Sequence, residues 1–209
     1  MSEHAPLDPR HTALVIVDLH AAHRHALDRA DGAYARGDQK NADIAALPVR
    51  VRPVADALRA KGGWIVSTHF TLVPGKGGEP FISPHLKAMR PFLRKSDFAP
   101  GSWGHQLVDE LQPADLSIEK VAYSAFYMTR LEWVLRKAGI DTLIFCGIVT
   151  NGGVASTVRD AHIRDFPATV LADGCAAFSR ETHERAIGDL STVARIMTCA
   201  EAVAWIGAS

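Results

Sequence analysis

Short apolar segments alternate with amphipathic segments along most of this chain. The apolar segments are residues 12–17, 64–68, 116–119, 142–147, 169–172 and 195–198. Strands connected by helices pair in parallel, because each helical connection crosses over the sheet. The sequence therefore predicts an α/β fold over residues 12–209. We expect one three-layer domain, with a central, mainly parallel β-sheet of about six strands and helices on both faces.

The segments between the strands favour helices of ordinary length. Apolar residues have helical spacing in five segments. The first starts near residue 49 and ends at Gly62, and the others are 129–138, 154–164, 181–193 and 200–206. Residues 1–11 are predicted to form a loosely held arm, and residues 20–42 a loop with a short helix. Residues 107–111 favour a helical turn. The connection 72–104, with a short helix near 84–92, is long enough to suggest a functional role.

The composition excludes several classes of partner. The 209 residues carry 23 basic and 23 acidic side chains, with no Lys/Arg-rich run, so we expect neither nucleic acid nor an anionic membrane as partner. No apolar run reaches the length of a membrane span, and the N-terminus lacks a signal-peptide core. The three cysteines, Cys146, Cys175 and Cys199, all lie in apolar segments and read as buried thiols of a reducing compartment. These features predict a cytoplasmic protein.

Several polar residues come at or just after the predicted strands. Asp18 follows the first strand, His69 lies just past the end of the second, and Lys120 ends the third. The turn 148–153 follows the fourth strand and leads into a helix. Because parallel sheets bind ligands beyond the carboxyl ends of their strands, we expect these residues to meet in one crevice.

The turn itself has the features of an anion site. A strand that breaks into a helix exposes unpaired backbone N–H groups, and the helix dipole favours negative charge there. Gly152 and Gly153 carry no side chains and leave room for a ligand close to the backbone.

Four motifs resemble those of the isochorismatase-like hydrolases, also called cysteine hydrolases. They are residues 15–18 (VIVD), 120–126 (KVAYSAF), 147–150 (GIVT) and 157–161 (TVRDA), and the resemblance extends over residues 12–206. It implies a small-molecule substrate and catalytic roles for Asp18 and Lys120. It also implies a cis peptide bond between Ile148 and Val149, with the Val149 and Gly153 amides forming an oxyanion site. Most members of this family have a nucleophilic cysteine at the position of Gly153.

Other residues are candidates for contacts with the substrate. They are His20, His69, Trp103, Tyr123, Phe126 and Asn151, with Arg94, Arg130 and Arg159 as candidate partners of a substrate carboxylate. The sequence of residues 18–20 (DLH) faintly resembles that of the metal-binding nicotinamidases. No matching Asp-x-x-His follows, so we expect no metal and no cofactor, and histidines that line the pocket or are solvated.

The missing thiol leaves four hypotheses. In the first, Asp18 and Lys120 hydrolyse a vinyl ether, amide or ureide without a covalent intermediate, as the resemblance implies for isochorismatases. In the second, the chain is a binding or regulatory protein without turnover. In the third, it is a Cys→Gly variant of a cysteine amidohydrolase. In the fourth, Ser124 or Thr150 is the nucleophile. The resemblance further implies a homo-oligomer, a dimer or tetramer, paired through residues 72–104 and 154–164.

Overall fold

The structure, a computed structural model, describes residues 7–21, 42–91 and 93–209. Six strands lie within these ranges: β1 (Thr12–Val17), β2 (Trp64–Phe70), β3 (Leu116–Lys120), β4 (Thr142–Ile148), β5 (Ala168–Ala176) and β6 (Arg195–Met197). They form one sheet in which every pairing is parallel. The predicted fold class is therefore confirmed.

Helices connect these strands. They are α1 (Ala42–Ala60), α2 (Pro84–Met89), α3 (Leu131–Lys137), α4 (Ala155–Ile163), α5 (Arg180–Leu190) and α6 (Cys199–Gly207). Short 3-10 turns occupy Pro9–His11, Trp103–His105 and Asp109–Leu111, and a π-helical turn, Thr150–Val154, precedes α4. The predicted loop at 20–42, with His23 and His25, falls almost entirely outside the described residues.

The strand order β3-β2-β1-β4-β5-β6 places a change of direction at the centre of the sheet. The chain runs outwards from β1 through β2 to β3 and then returns to pair β4 with the other side of β1. Connections that leave adjacent strands in opposite directions open a crevice at their carboxyl ends. Asp18 and the turn after Ile148 border this crevice.

Two hydrophobic cores cover the faces of the sheet. Leu14 and Ile16 of β1 pack on one face with apolar residues of α1 and α6. Val15 and Val17 face the opposite side, where α3, α4 and α5 cover them. This period-two alternation along a wholly buried strand gives the three-layer arrangement.

Residues 7–11 of the predicted arm are packed against the domain. Leu7 is buried, and its backbone N–H donates to Ser209 Oγ at 3.3 Å. Asp8 caps the turn Pro9–His11 by accepting from the Arg10 N–H. The expectation of a loosely held arm is thus wrong for these residues, because a buried leucine and a helical cap fix them.

Candidate active site

Asp18 lies at the point where β1 ends against β2 and β4. Its backbone has a φ of +53°, in the left-handed region that non-glycine residues seldom occupy, and such residues often mark functional sites. Its N–H donates to the Thr68 carbonyl at 3.1 Å. On the other side, Gly147 approaches so closely that a Cβ there would lie 2.1 Å from the Val17 carbonyl oxygen. Only glycine permits this packing beside Asp18.

The Asp18 carboxylate is held by three donors. Lys120 Nζ lies 2.6 Å from Oδ2, while the Thr68 hydroxyl and the Phe70 N–H donate to Oδ1 at 3.2 and 3.0 Å. The side chain of Lys120 is 1% exposed and also donates to the Ala122 carbonyl at 3.0 Å. Two adjacent strands thus fix both members of a buried ion pair.

Burial controls the proton affinity of this carboxyl group. Removal from water raises the pKa of Asp18 above its ordinary value, because the charged form loses solvation. The positive charge of Lys120 and the hydrogen bonds from Lys120 and Thr68 act in the opposite direction but do not cancel this effect. A carboxyl group with a raised pKa is suited to donating a proton in a reaction near neutral pH.

Gly153 faces the free side of this pair. A Cβ at this position would lie 3.4 Å from Asp18 Oδ2, 3.1 Å from the Ile148 carbonyl oxygen and 3.2 Å from Val17 Cγ1. A side chain at position 153 would therefore start next to the aspartate. The Thr157 hydroxyl donates to the Gly153 carbonyl at 2.7 Å and accepts from the Ala125 N–H at 3.0 Å, which ties the turn to the lysine motif.

The backbone before Gly153 makes an abrupt turn. The Ile148–Val149 peptide bond is cis, as the resemblance implied. The Val149 carbonyl accepts from the Gly152 and Val154 N–H groups, so the segment forms a π-helical turn before α4 begins.

A cavity of about 50 Å³ opens over the ion pair. Its lining combines the pair with a mostly apolar wall: Asp18, Phe70, Leu86, Arg90, Leu93, Lys120, Tyr123, Ile148, Val149, Gly153 and Phe178. This volume exceeds that of one water molecule but is well below that of ordinary ligand pockets. The wall from Leu86 to Leu93 belongs to α2 and the segment after it, which cover the cavity.

Of the predicted site residues, the structure brings Asp18, Lys120, Val149, Gly153 and Tyr123 together in this cavity. Tyr123 is held at its edge, where its hydroxyl accepts from Arg90 Nη2 at 3.1 Å.

The other five predicted residues do not line the cavity. His69 lies inside β2 and not past its end, and alternation along the strand turns it to the face opposite Phe70. There it stacks with His20, their ring centroids 5.4 Å apart. Phe126 belongs to the core beneath α3 and α4. Trp103 and Asn151 are exposed.

Arg90 is the charged residue of the cavity lining that the sequence does not single out. The three arginines that are candidate carboxylate partners in the sequence, Arg94, Arg130 and Arg159, do not line the cavity. The available signal was the length of the 72–104 connection, whose predicted short helix ends near Arg90.

Two hydroxyl groups, those of Ser124 and Thr150, are the alternative nucleophiles of the fourth hypothesis. Ser124 and Thr150 are buried, and neither lines the cavity. The Thr150 hydroxyl lies 2.8 Å from His183 Nδ1, and Ser124 Oγ accepts from the Phe126 N–H at 3.1 Å.

None of the three thiols lines the cavity. All are buried, and burial raises the pKa of Cys146 well above its usual range, that of Cys175 to about 12 and that of Cys199 likewise upwards. Within the described ranges, no cluster of His, Cys, Asp or Glu is arranged to hold a metal ion. Nor does any described helix combine the length and apolar character needed to cross a membrane.

The fold and site define a three-layer α/β protein with an Asp–Lys pair at the switch point of its sheet. The isochorismatase domain matches residues 12–201, and the chain belongs to the isochorismatase family of hydrolases.

Its relatives include amidohydrolases. The ureidoacrylate amidohydrolase RutB of Caulobacter segnis is 34% identical over 187 residues, covering 82% of this chain and 74% of that protein. RutB of Enterobacter sp. (strain 638) is 36% identical over 181 residues, covering 79% and 75%.

Solved structures share the fold. A cysteine hydrolase from Pseudomonas syringae pv. phaseolicola 1448A has a TM-score of 0.81 at 22% identity, with 100% of this chain and 99% of that chain covered. N-carbamoylsarcosine amidase from Thermoplasma acidophilum has a TM-score of 0.67 at 22% identity, with 90% and 96% covered.

Proposed function

We propose that this protein hydrolyses a small anionic substrate by proton transfer from Asp18, with water instead of a thiolate as the nucleophile. The observation that carries the proposal is the buried pair of Asp18 Oδ2 and Lys120 Nζ, 2.6 Å apart, beside a residue without a side chain. The space next to Oδ2, where a Cys side chain would begin, is available to a water molecule or a substrate atom.

This arrangement suits a vinyl ether. Protonation of its double bond by Asp18 creates an oxocarbenium ion, water adds to that carbon, and the resulting hemiketal breaks into a carbonyl compound and an alcohol. The proton released by water returns to the Asp18 carboxylate. No step needs a covalent bond to the protein, so the reaction is compatible with Gly153. Lys120 balances the negative charge that Asp18 acquires when it has donated its proton.

Arg90 supports an anionic substrate. Its guanidinium is a permanent positive charge at the edge of the cavity, whereas Lys120 is the counter-ion of the carboxylate that Asp18 becomes when it donates its proton. We propose that Arg90 and Tyr123 hold a carboxylate of the substrate. The Val149 and Gly153 amides are proposed to bind oxygen atoms at the reacting end.

A ureide or amide is the second candidate, and the RutB relatives favour it. In that case Asp18 would activate water as a base, and the same amides would hold the tetrahedral oxyanion.

A substrate panel separates these two cases. It comprises isochorismate, other carboxylated vinyl ethers, ureidoacrylate and N-carbamoyl amino acids, and it is assayed with the unmodified protein and with Asp18→Asn. Vinyl-ether turnover that depends on Asp18 supports the proposal. Turnover of ureides alone favours the second candidate, and the absence of turnover for every substrate favours a binding role.

A further inference from the structure

A second polar site lies on the opposite face of the sheet from Asp18. It is a groove of about 890 Å³ between the edge strand β3 and the segment 101–114, in the size range of ligand pockets. His69, Ser117, Glu119 and Arg130 contribute polar groups to its lining. Neither Asp18 nor Lys120 lines this groove, so the groove is separate from the proposed active site.

Three side chains form a hydrogen-bonded row that ends in the groove. His69 Nε2 lies 2.7 Å from Ser67 Oγ, and Ser67 Oγ lies 3.2 Å from Ser117 Oγ. Ser67 and His69 are buried, while Ser117 is exposed. The paired register of Ser67 with Ser117 on adjacent strands places both hydroxyls on the same face.

The direction of each hydrogen bond follows from the acceptor at one end. His69 Nδ1 lies 2.7 Å from the His105 carbonyl oxygen, which only accepts, so Nδ1 carries a proton. In neutral His69, Nε2 is therefore an acceptor and takes the single hydrogen of Ser67. Ser67 then accepts from Ser117. This direction of donation is the one in which a proton can pass from Ser117 through Ser67 to His69.

We propose that Ser117 is a nucleophile towards small activated acyl compounds that enter this groove, with His69 acting as its general base through Ser67. The arrangement corresponds to a serine–histidine pair with one hydroxyl inserted and a backbone carbonyl orienting the imidazole. Arg130 and Glu119 both line the groove, one charge of each sign, so its electrostatics suit a neutral ester.

The chemical step balances without a cofactor. Ser117 Oγ forms a bond to the carbonyl carbon of the ester, and its proton moves to Ser67 while the Ser67 proton moves to His69 Nε2. The carbon–oxygen bond to the alcohol breaks, and the leaving oxygen takes a proton from Ser67 Oγ, which regains one from His69 Nε2. Water beside Ser67 then attacks the acyl carbon and gives a proton to Ser67 Oγ, whose own proton moves to His69 Nε2. The bond between the acyl carbon and Ser117 Oγ breaks, Ser117 Oγ regains its proton from His69 through Ser67, and the acid is released. Arg130, which lines the groove and whose Nη2 donates to the Ser117 carbonyl oxygen at 3.3 Å, supplies a positive charge for the developing oxyanion.

The charge state of His69 supports this role. Burial lowers the pKa of His69, so its imidazole is a neutral base at neutral pH. The pKa of His69 is raised by its hydrogen bond to the His105 carbonyl and by the negative charges of Asp18 and Glu119, but these effects do not cancel that of burial. The positive charge of Lys120 lowers the pKa further. The His20 ring stacks against His69, and burial likewise lowers the pKa of His105.

A fluorophosphonate probe tests the proposal, because its phosphorus forms a bond to an activated serine as fluoride leaves. We expect intact-mass and peptide analysis to find one adduct, on Ser117. Ser117→Ala should abolish it, and Ser67→Ala should slow labelling by about 100-fold, the usual contribution of a general base. Asp18→Asn should still be labelled, which separates this site from the proposed hydrolase site.

Two controls make the outcome decisive. Ser191→Ala removes another exposed hydroxyl, one that donates only to the Gly188 carbonyl, and should leave labelling unchanged. The labelling rate of the unmodified protein should fall only below the ordinary histidine pKa of about 6.5. Absence of an adduct, an adduct on another residue, or equal labelling of Ser67→Ala would overturn the proposal.

Discussion

The Asp18 carboxylate and the Lys120 ammonium are 2.6 Å apart in a site from which the surrounding strands exclude most water. Asp18 follows β1 and Lys120 ends β3. Strand β2 lies between these two strands and contributes Thr68 and Phe70 as further donors to Asp18. Gly153 approaches the same carboxylate from the turn after β4. The reaction that we propose for this site is proton transfer from Asp18, with Lys120 as the counter-ion of the resulting carboxylate.

A side chain at position 153 should occupy the space beside Asp18 Oδ2 in which we propose that the attacking water or a substrate atom binds. We expect Gly153→Ala to lower kcat by about 10-fold or more, because its methyl group would lie 3.4 Å from Asp18 Oδ2 and close to the Ile148 carbonyl. Steady-state kinetics on the substrate identified by the panel measure this effect. Gly152→Ala, whose Cβ would meet only Val149 Cγ2 at 3.0 Å, is the matched control. Equal losses in both variants would indicate a general disturbance of the turn.

Restoring the thiol distinguishes the first hypothesis from the third. Gly153→Cys should create a thiol that iodoacetamide alkylates rapidly, since it would lie just before a helix, in the cavity that Lys120 also lines. If the protein is a disabled amidohydrolase, this variant should also gain ureide or amide turnover by orders of magnitude. We expect alkylation without such a gain, and mass spectrometry together with the substrate panel reports both.

The pH dependence of turnover identifies the role of Asp18. Because burial raises its pKa, the protonated fraction persists above the usual range for a carboxyl group and falls as the pH rises through the raised value. If Asp18 donates a proton, kcat/KM should therefore decrease as the pH rises through the raised pKa of Asp18. This decrease should be absent in a variant without Asp18. An increase of kcat/KM with pH over the same range would assign Asp18 as a base. Because the two groups interact, the apparent pKa obtained from kcat/KM describes the Asp18–Lys120 pair and not Asp18 alone.

Substitution of Arg90 should weaken substrate binding. Loss of a hydrogen bond to a charged group costs about 1.5–3 kcal/mol, so Arg90→Gln should raise KM by roughly 10- to 150-fold with a smaller change in kcat. Arg94→Gln is the matched control, since Arg94 lies outside the cavity in the same connection. If Arg90→Gln raises the KM of an uncharged substrate analogue as much as it raises the KM of the carboxylate, Arg90 has a structural role only.

The sequence predicted the order of elements and the residues that converge on the crevice. Strand Thr12–Val17 was placed at its observed bounds because its apolar run is uninterrupted, and Asp18 and Lys120 were located because strand ends can be read from such runs. The direction of His69 was not predicted, since one residue of error in a strand end turns a side chain to the other face. Arg90 was missed because irregular connections have no periodicity to place them over a site.

The oligomeric state is a further prediction, based on the family resemblance. We expect a dimer or tetramer in light scattering at micromolar concentration, formed through the connection 72–104 and the helix at 154–164. Exposed Trp133 and Ile163 lie on α3 and α4. Ile163→Glu should shift the assembly to smaller species if α4 takes part. A monomer for the unmodified protein would contradict the prediction.

The most direct test of thiol-free catalysis is the initial rate of hydrolysis before and after exhaustive treatment with iodoacetamide, compared with the rate of Asp18→Asn. We expect an unchanged rate after alkylation, because the three cysteines are buried and none of them lines the cavity, and a loss of about 100-fold or more in Asp18→Asn. Circular dichroism and thermal unfolding should confirm that Asp18→Asn is folded, since it leaves the Lys120 charge buried without its partner. Inactivation by iodoacetamide, or full activity of folded Asp18→Asn, would contradict the account.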